Sequence, residues 1–293
     1  MAVYISSGAF QGVSTVEELL PVCRENGIFD VELASGLRVG NPDGYLPLIE
    51  PLRDQFRFLL HNYFPAPAEP FVLNLADRDE ANRTRSIRFC LDALEGSAAM
   101  GIPFYSAHAG FVSSLRPDDL GKPERQQSKI TEDDYHSALD RFSESVKALA
   151  LEARRLGVRL LLENNVDAVP RDGHSHLLFV SGEDVIRFFT EEIPAGVGLL
   201  LDVAHLKISA KCRGFDPVAA VEMMAPWIGA LHLSDNDGLR DNNAICESGS
   251  WFWEPLRASC GKDTVTVLEA YRLAPEVIHA QRELIARELP FSV

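Results

Sequence analysis

Six apolar stretches of this chain stop abruptly at a residue able to bind a metal or carry a proton. His61 closes Phe58-Leu-Leu-His, His108 closes Tyr105-Ser-Ala-His, Glu163 closes Leu160-Leu-Leu-Glu and Asp202 closes Leu199-Leu-Leu-Asp. His232 follows Gly229-Ala-Leu, and Glu269 ends Val265-Thr-Val-Leu. A carboxylate among apolar neighbours is costly to bury unless it is paired or neutralised by a cation. Three carboxylates meeting two or three imidazoles form the mixed oxygen and nitrogen ligand set that a divalent ion takes. One such ending is ordinarily a solvated or hydrogen-bonded group, so the weight rests on the joint pattern. Its core is Glu163, Asp202, His232 and Glu269, expected as ligands of one divalent ion (Mn, Mg, Co or Zn). His61 and His108 leave a second ion in reach.

The elements that must position these residues alternate along the chain. Candidate strands are Val3–Ser6, Phe29–Leu33, Phe56–His61, Pro103–His108, Arg159–Glu163, Gly196–Asp202, Ala230–Leu233 and Thr264–Glu269. Runs such as Val158-Arg159-Leu160-Leu161-Leu162 are nearly continuous in Leu and Val, as parallel strands covered on both faces are. Helical patterns lie between them, at Thr15–Glu25, Asp79–Ala99, Glu132–Leu156, Ser181–Glu192, Asp216–Ala225 and Pro275–Glu288. Ser181 is placed as an N-cap, and Gly157 ends the helix before the fifth strand. Eight strands alternating with helices fit a closed barrel or a doubly wound open sheet. No Gly-x-Gly-x-x-Gly follows an early strand, so the expectation is α/β class, a single (β/α)8 TIM barrel with residues 1–293 as one domain. Strand ends of such a barrel share one mouth, which brings the six residues together. The long irregular segments Val112–Lys129, Val166–Val180 and Ser234–Trp253 follow strand ends and are candidate substrate loops.

The chain has 293 residues, 46% of them hydrophobic and 24% charged, an ordinary globular composition. Its net charge of −15 argues against a nucleic-acid partner, because neutralising phosphates takes a basic face. No run of about 18 apolar residues suggests a membrane span. Met1-Ala2-Val3-Tyr4-Ile5 reads as a first strand rather than a signal peptide. The five cysteines are an odd number, widely scattered, and fit reduced thiols in a cytoplasmic protein.

The blocks Leu161-Leu-Glu-Asn-Asn, Leu200-Leu-Asp-Val-Ala-His, Ala230-Leu-His-Leu-Ser-Asp-Asn-Asp-Gly and Val267-Leu-Glu-Ala resemble the xylose isomerase-like TIM-barrel superfamily. That group holds sugar isomerases and epimerases and the endonuclease IV type of abasic-site nuclease. The resemblance to its ketose 3-epimerase branch implies one metal on Glu163, Asp202, His232 and Glu269, with Glu163 and Glu269 also as catalytic residues that shuttle the substrate proton. It implies that His205 contacts substrate or a further metal. His61, His108, His205 and Asp241 match ligands of the nuclease's three-metal cluster, but Asn243 stands where its last histidine belongs, and Asn is a poor zinc ligand.

The expected activity is therefore a metal-dependent sugar or sugar-phosphate isomerase or epimerase working through an enediolate. A metal-dependent phosphodiesterase and a dehydratase or lyase of the same barrel are the alternatives. Weaker candidates surround this core. Glu32 either contacts substrate or pairs inside the barrel, and Arg240 is placed to reach a substrate oxygen. Trp251, with Phe252 and Trp253, forms a pocket wall, a subunit contact in a homo-oligomer, or plain core. Arg116, Lys122, Arg125, Arg171, His174 and His176 are loop candidates for an anionic substrate group, with a solvated surface the default.

Overall fold

The computed structural model describes residues 3–119, 129–169, 173–191 and 196–292. Eight parallel strands close on themselves in chain order. They are β1 (Val3–Ser6), β2 (Asp30–Leu33), β3 (Arg57–His61), β4 (Phe104–His108), β5 (Arg159–Glu163), β6 (Val197–Asp202), β7 (Ile228–Leu233) and β8 (Val265–Leu268). Outside them lie α1 (Val16–Glu25), the single turn α2 (Leu46–Ile49), α3 (Glu80–Met100), α4 (Glu132–Leu156), α5 (Gly182–Glu191), α6 (Val203–Arg213), α7 (Pro217–Met224), α8 (Trp253–Ser259) and α9 (Pro275–Glu288). The (β/α)8 barrel expected from the alternation is thus the fold, with strand positions within a residue or two of those expected. No disulfide joins the cysteines, and Cys23 and Cys90 are buried in helices. No helix among the described residues is long and apolar enough to cross a membrane.

Local signals set the helix ends. Thr15 with Glu18 and Thr131 with Asp134 form capping boxes that satisfy first-turn N–H groups. Gly101, Gly157 and Gly214 end α3, α4 and α6 in the left-handed conformation, which glycine adopts without a Cβ clash. Ser181 caps α5 by accepting from Asp184 N at 3.2 Å. Helix α6 was not expected. Seven of its eleven residues, from Val203 to Ala210, are buried, so it shows no polar stripe to mark the helical period. The segment expected to be irregular after β7 carries an isolated bridge, Asp235 with Ala244, and runs into α8.

Register explains why the strand ends meet. Partner residues in parallel strands face the same side, and alternate residues of a strand face inward. His108 pairs with Glu163, and Asp202 with His232. At four interfaces the inward strand-end residue lies two residues beyond its neighbour's level. Glu32 pairs with Leu59, two before His61; His61 pairs with Ser106, two before His108. Glu163 pairs with Leu200, two before Asp202; His232 pairs with Val267, two before Glu269. Ile5 pairs with Leu268 and Ser6 with Glu32, so the ring closes in step. Two residues at each of four interfaces make a stagger of eight round the barrel, the shear that tilted strands of this fold require. Glu32, His61, His108, Glu163, Asp202, His232 and Glu269 therefore occupy one level at the C-terminal mouth.

Below that level the barrel is filled by side chains. A Cβ on Gly198 would lie 2.8 Å from Leu161 Cδ2 and 3.0 Å from Arg159 Nη2, so the glycine makes room for the two inward residues beneath Glu163. Gly110, just beyond β4, is held tighter, because a Cβ there would lie 2.9 Å from the Ala76 backbone nitrogen and 2.7 Å from Ala76 Cβ. Backbone cannot yield as a side-chain tip can. Gly110→Ala should lower stability by about 1–3 kcal/mol, read as a lower urea midpoint at unchanged slope.

Candidate functional site

The seven ring residues differ in depth. Glu32, Asp202, His232 and Glu163 are fully buried, and Glu269 and His61 nearly so. The side chains of His108 and Asp241 are 30% and 31% exposed, and mark the rim. Donor atoms of Glu163, Asp202, His232 and Glu269 lie within 4.8 Å of one another, as do those of His61, His108 and Glu163 and those of Glu32, His61 and His232. The structure thus brings together the four-residue set and the two extra histidines read from the sequence.

Glu163 is the hub. Its Oε2 lies 3.2 Å from His61 Nε2 and 3.3 Å from His108 Nδ1, and its Oε1 3.3 Å from His232 Nδ1. None of these contacts has hydrogen-bond geometry, so both oxygens of this buried carboxylate are left without a hydrogen-bond partner among the described residues. His232 Nδ1, His108 Nδ1 and Asp202 Oδ2 are buried in the same condition. Orphaned polar atoms are rare in protein interiors, and here they converge on one point.

Asp202 is placed by two devices. Its Oδ1 caps α6, accepting from His205 N at 2.7 Å, which leaves Oδ2 facing the centre. Its backbone is clamped by Asn164, whose Oδ1 accepts from Asp202 N at 2.8 Å and whose Nδ2 donates to Asp202 O at 3.0 Å. The Asn164 carbonyl lies 2.9 Å from His205 Nδ1, and His205 Nε2 lies 3.3 Å from Asp241 Oδ2. His205 and Asp241 form a pair beside the four-residue set. On the other side, His61 Nδ1 lies 2.9 Å from Ser106 Oγ, which leaves Nε2 toward Glu163.

Charge in this ring is strongly coupled. Burial works to raise the Glu163 carboxyl, but His108, His61 and His232 outweigh it and hold it well below the usual range. Burial likewise opposes Glu269, yet His232 holds it down at about 2. Burial pushes Asp202 well above the carboxylate range, and Glu269, Glu163 and Asp241 add to the rise against His205. His232 is raised well above an ordinary imidazole, its burial outweighed by Glu269, Glu32 and Glu163. His108 is pushed down to about 4, mainly by burial. Burial and mutual repulsion thus work against ionising Asp202 beside Glu163 and Glu269. A divalent cation among Glu163, Asp202 and Glu269 would satisfy both the charge and the orphaned atoms.

Three residues here were not singled out from sequence. Asn164 and Ser106 orient Asp202 and His61; the twin asparagine after Glu163 was the available signal for the first. The third is Tyr271, whose hydroxyl donates to Glu269 Oε1 at 3.3 Å while its ring is 44% exposed. The Glu269 charge, then burial, raises the Tyr271 phenol and keeps it a neutral donor.

Of the weaker candidates among the described residues, Glu32 joins the ring and the rest fall outside it. Glu32 accepts from His232 Nε2 at 3.0 Å in the barrel interior. Arg240 is exposed beside Asp237. Trp251 is partly buried against the core, its Nε1 buried without an acceptor among the described residues. Arg116 is exposed, His174 lies 2.6 Å from Glu132, and His176 Nδ1 lies 2.9 Å from Ser113 Oγ. Lys122, Arg125 and Arg171 lie outside the described residues.

The family profile described as xylose isomerase-like TIM barrel matches residues 20–270. No curated protein matches the chain significantly. Among solved structures, a D-tagatose 3-epimerase-like protein is 18% identical with a TM-score of 0.75, covering 100% of this chain and 98% of its own. The IOLI protein with a binding zinc atom is 17% identical with a TM-score of 0.68, over 100% and 99%. The 3-keto-D-glucoside 4-epimerase YcjR from E. coli is 17% identical with a TM-score of 0.64, over 98% of each chain. At such identities these likenesses speak for the fold.

Asn164→Ala removes the side-chain partner of both buried backbone groups of Asp202. It should cost about 1–3 kcal/mol of stability, measured by urea unfolding, as expected for unsatisfied buried groups.

Proposed function

Because the chain belongs to the xylose isomerase-like TIM barrel family, we propose that it is a divalent-metal-dependent isomerase or epimerase of a sugar or sugar phosphate. The observation that carries this reading is the convergence of Glu163 and Glu269 with Asp202 and His232, donor atoms within 4.8 Å and several without hydrogen-bond partners among the described residues. Three carboxylates and one imidazole suit Mn, Mg, Co or Zn. Glu163, Asp202, His232 and Glu269 would hold the ion, and His61 and His108 with Glu163 would hold a second. When bound, the ion polarises the sugar carbonyl and offsets the negative charge that grows on its oxygen.

The chain's own groups would do the rest. Glu163 and Glu269 stand on strands three apart, so their carboxylates reach the centre from different sides. One removes a proton from the carbon beside the carbonyl. The other returns a proton to that carbon, giving an epimer, or to its neighbour, giving an aldose–ketose interconversion. Tyr271 holds Glu269 Oε1 while Oε2 faces His232 Nδ1 at 2.9 Å, so the two oxygens of this carboxylate are given separate tasks. His108, Asp241 and Tyr271 at the rim meet the substrate as it arrives. The epimerases and the zinc-bound protein among the structural neighbours support the same reading. The net charge of −15 and Asn243 in place of a ligating histidine weigh against a phosphodiesterase acting on DNA.

Protein purified without chelator should hold about one or two divalent ions per chain by elemental analysis, and chelation should lower its melting temperature. Metal content near zero, the same in Glu163→Ala, would contradict the ligand assignment. Proton abstraction is read directly by incorporating deuterium from solvent into a panel of ketoses and their phosphates, followed by mass spectrometry. Glu269→Gln should slow the exchange by about 100- to 10,000-fold, the range of a lost general acid–base group.

A further inference from the structure

Glu32, next to last in β2, sits in the ring and is fully buried, as is the imidazole it faces. His232 Nε2 lies 3.0 Å from Glu32 Oε1. On its other edge, His232 Nδ1 lies 2.9 Å from Glu269 Oε2 and 3.3 Å from Glu163 Oε1. A carboxylate only accepts hydrogen bonds, so the nitrogen facing Glu32 carries the N–H. A neutral imidazole then has its lone pair on Nδ1, turned toward the carboxylates of Glu163 and Glu269. A cation between that lone pair and the two carboxylates would relieve their repulsion.

We infer that Glu32 is a positioning residue, which fixes the tautomer and ring plane of His232 so that Nδ1 is presented to a divalent cation. The inference rests on the metal reading above and adds a residue that does not itself ligate. Substrate contact does not suit Glu32, because the ring opens to solvent at His108, Asp241 and Tyr271 and not on this side. A role for Glu32 as ligand of a separate ion with His61 and His232 is the competing assignment, since their donor atoms also lie within 4.8 Å. His61 Nε2 is turned toward Glu163 Oε2 at 3.2 Å, in the set that would hold the second ion, and its Nδ1 toward Ser106 Oγ at 2.9 Å, which favours the positioning role of Glu32.

The test is a titration of cobalt(II) into the metal-free full-length protein, followed by calorimetry and by the visible absorption bands of bound cobalt. Glu32→Leu should weaken cobalt binding about 10- to 100-fold, the usual loss when a carboxylate behind a ligating histidine is removed, with the number of ions unchanged and the bands shifted. Glu32→Gln should recover much of this loss, because its amide oxygen still accepts the N–H. Wild-type affinity and bands in both variants would overturn the inference, and so would the loss of one ion with the affinity of the rest unchanged. If Glu32→Leu does not fold, Glu32→Ala decides: weaker cobalt binding with shifted bands supports the positioning role, and wild-type affinity and bands overturn it. Wild-type protein that binds no cobalt would instead defeat the metal reading, and this inference with it.

Discussion

Four carboxylates and three imidazoles are held on one ring at the end of an apolar barrel, and most of them are cut off from water. Charge buried in this way is stable only when it is balanced within a few ångströms. That balance is the constraint on which the site depends. His61, His108 and His232 surround Glu163, and Glu269 leans on His232, yet Asp202 remains a carboxyl that burial and its neighbours push toward the neutral form. A dication is the simplest addition that lets all of them ionise together.

The backbone around the ring is organised to keep this arrangement in register. Asn164 ties the end of β5 to the end of β6 through both backbone groups of Asp202. Asp202 in turn starts α6, so the helix cannot shift without moving the carboxylate. The first turn of α6 delivers His205 to the Asn164 carbonyl and closes the loop. These contacts are short, buried and mutually dependent, which holds the side chains of the ring to small tolerances.

Depth divides the labour inside the ring. The floor, Glu32 and His232, has no exposure and can act only on what the ring holds. The rim is half open, and there Tyr271 links a solvent-facing ring to the innermost end of Glu269. A sugar is a small polar molecule with many hydroxyls, and such a graded mouth offers it an exposed edge for binding and a dry centre for chemistry.

The sequence alone determined the strand and helix order, because apolar runs covered on both faces and capped amphipathic helices leave clear local signals. It also showed which residue types could bind a metal, since six apolar runs stop at one. The mostly buried α6 was hidden because it lacks a polar stripe. The partners of each side chain were hidden for a different reason. Whether Glu32 faced substrate or another residue depends on a His 200 positions away. That pairing, the Asn164 clamp and the hydroxyl of Tyr271 on Glu269 exist only once the eight-residue stagger brings the strand ends to one level. Stagger is a property of the closed barrel, set by strand tilt and pairing between distant segments, and no single strand encodes it.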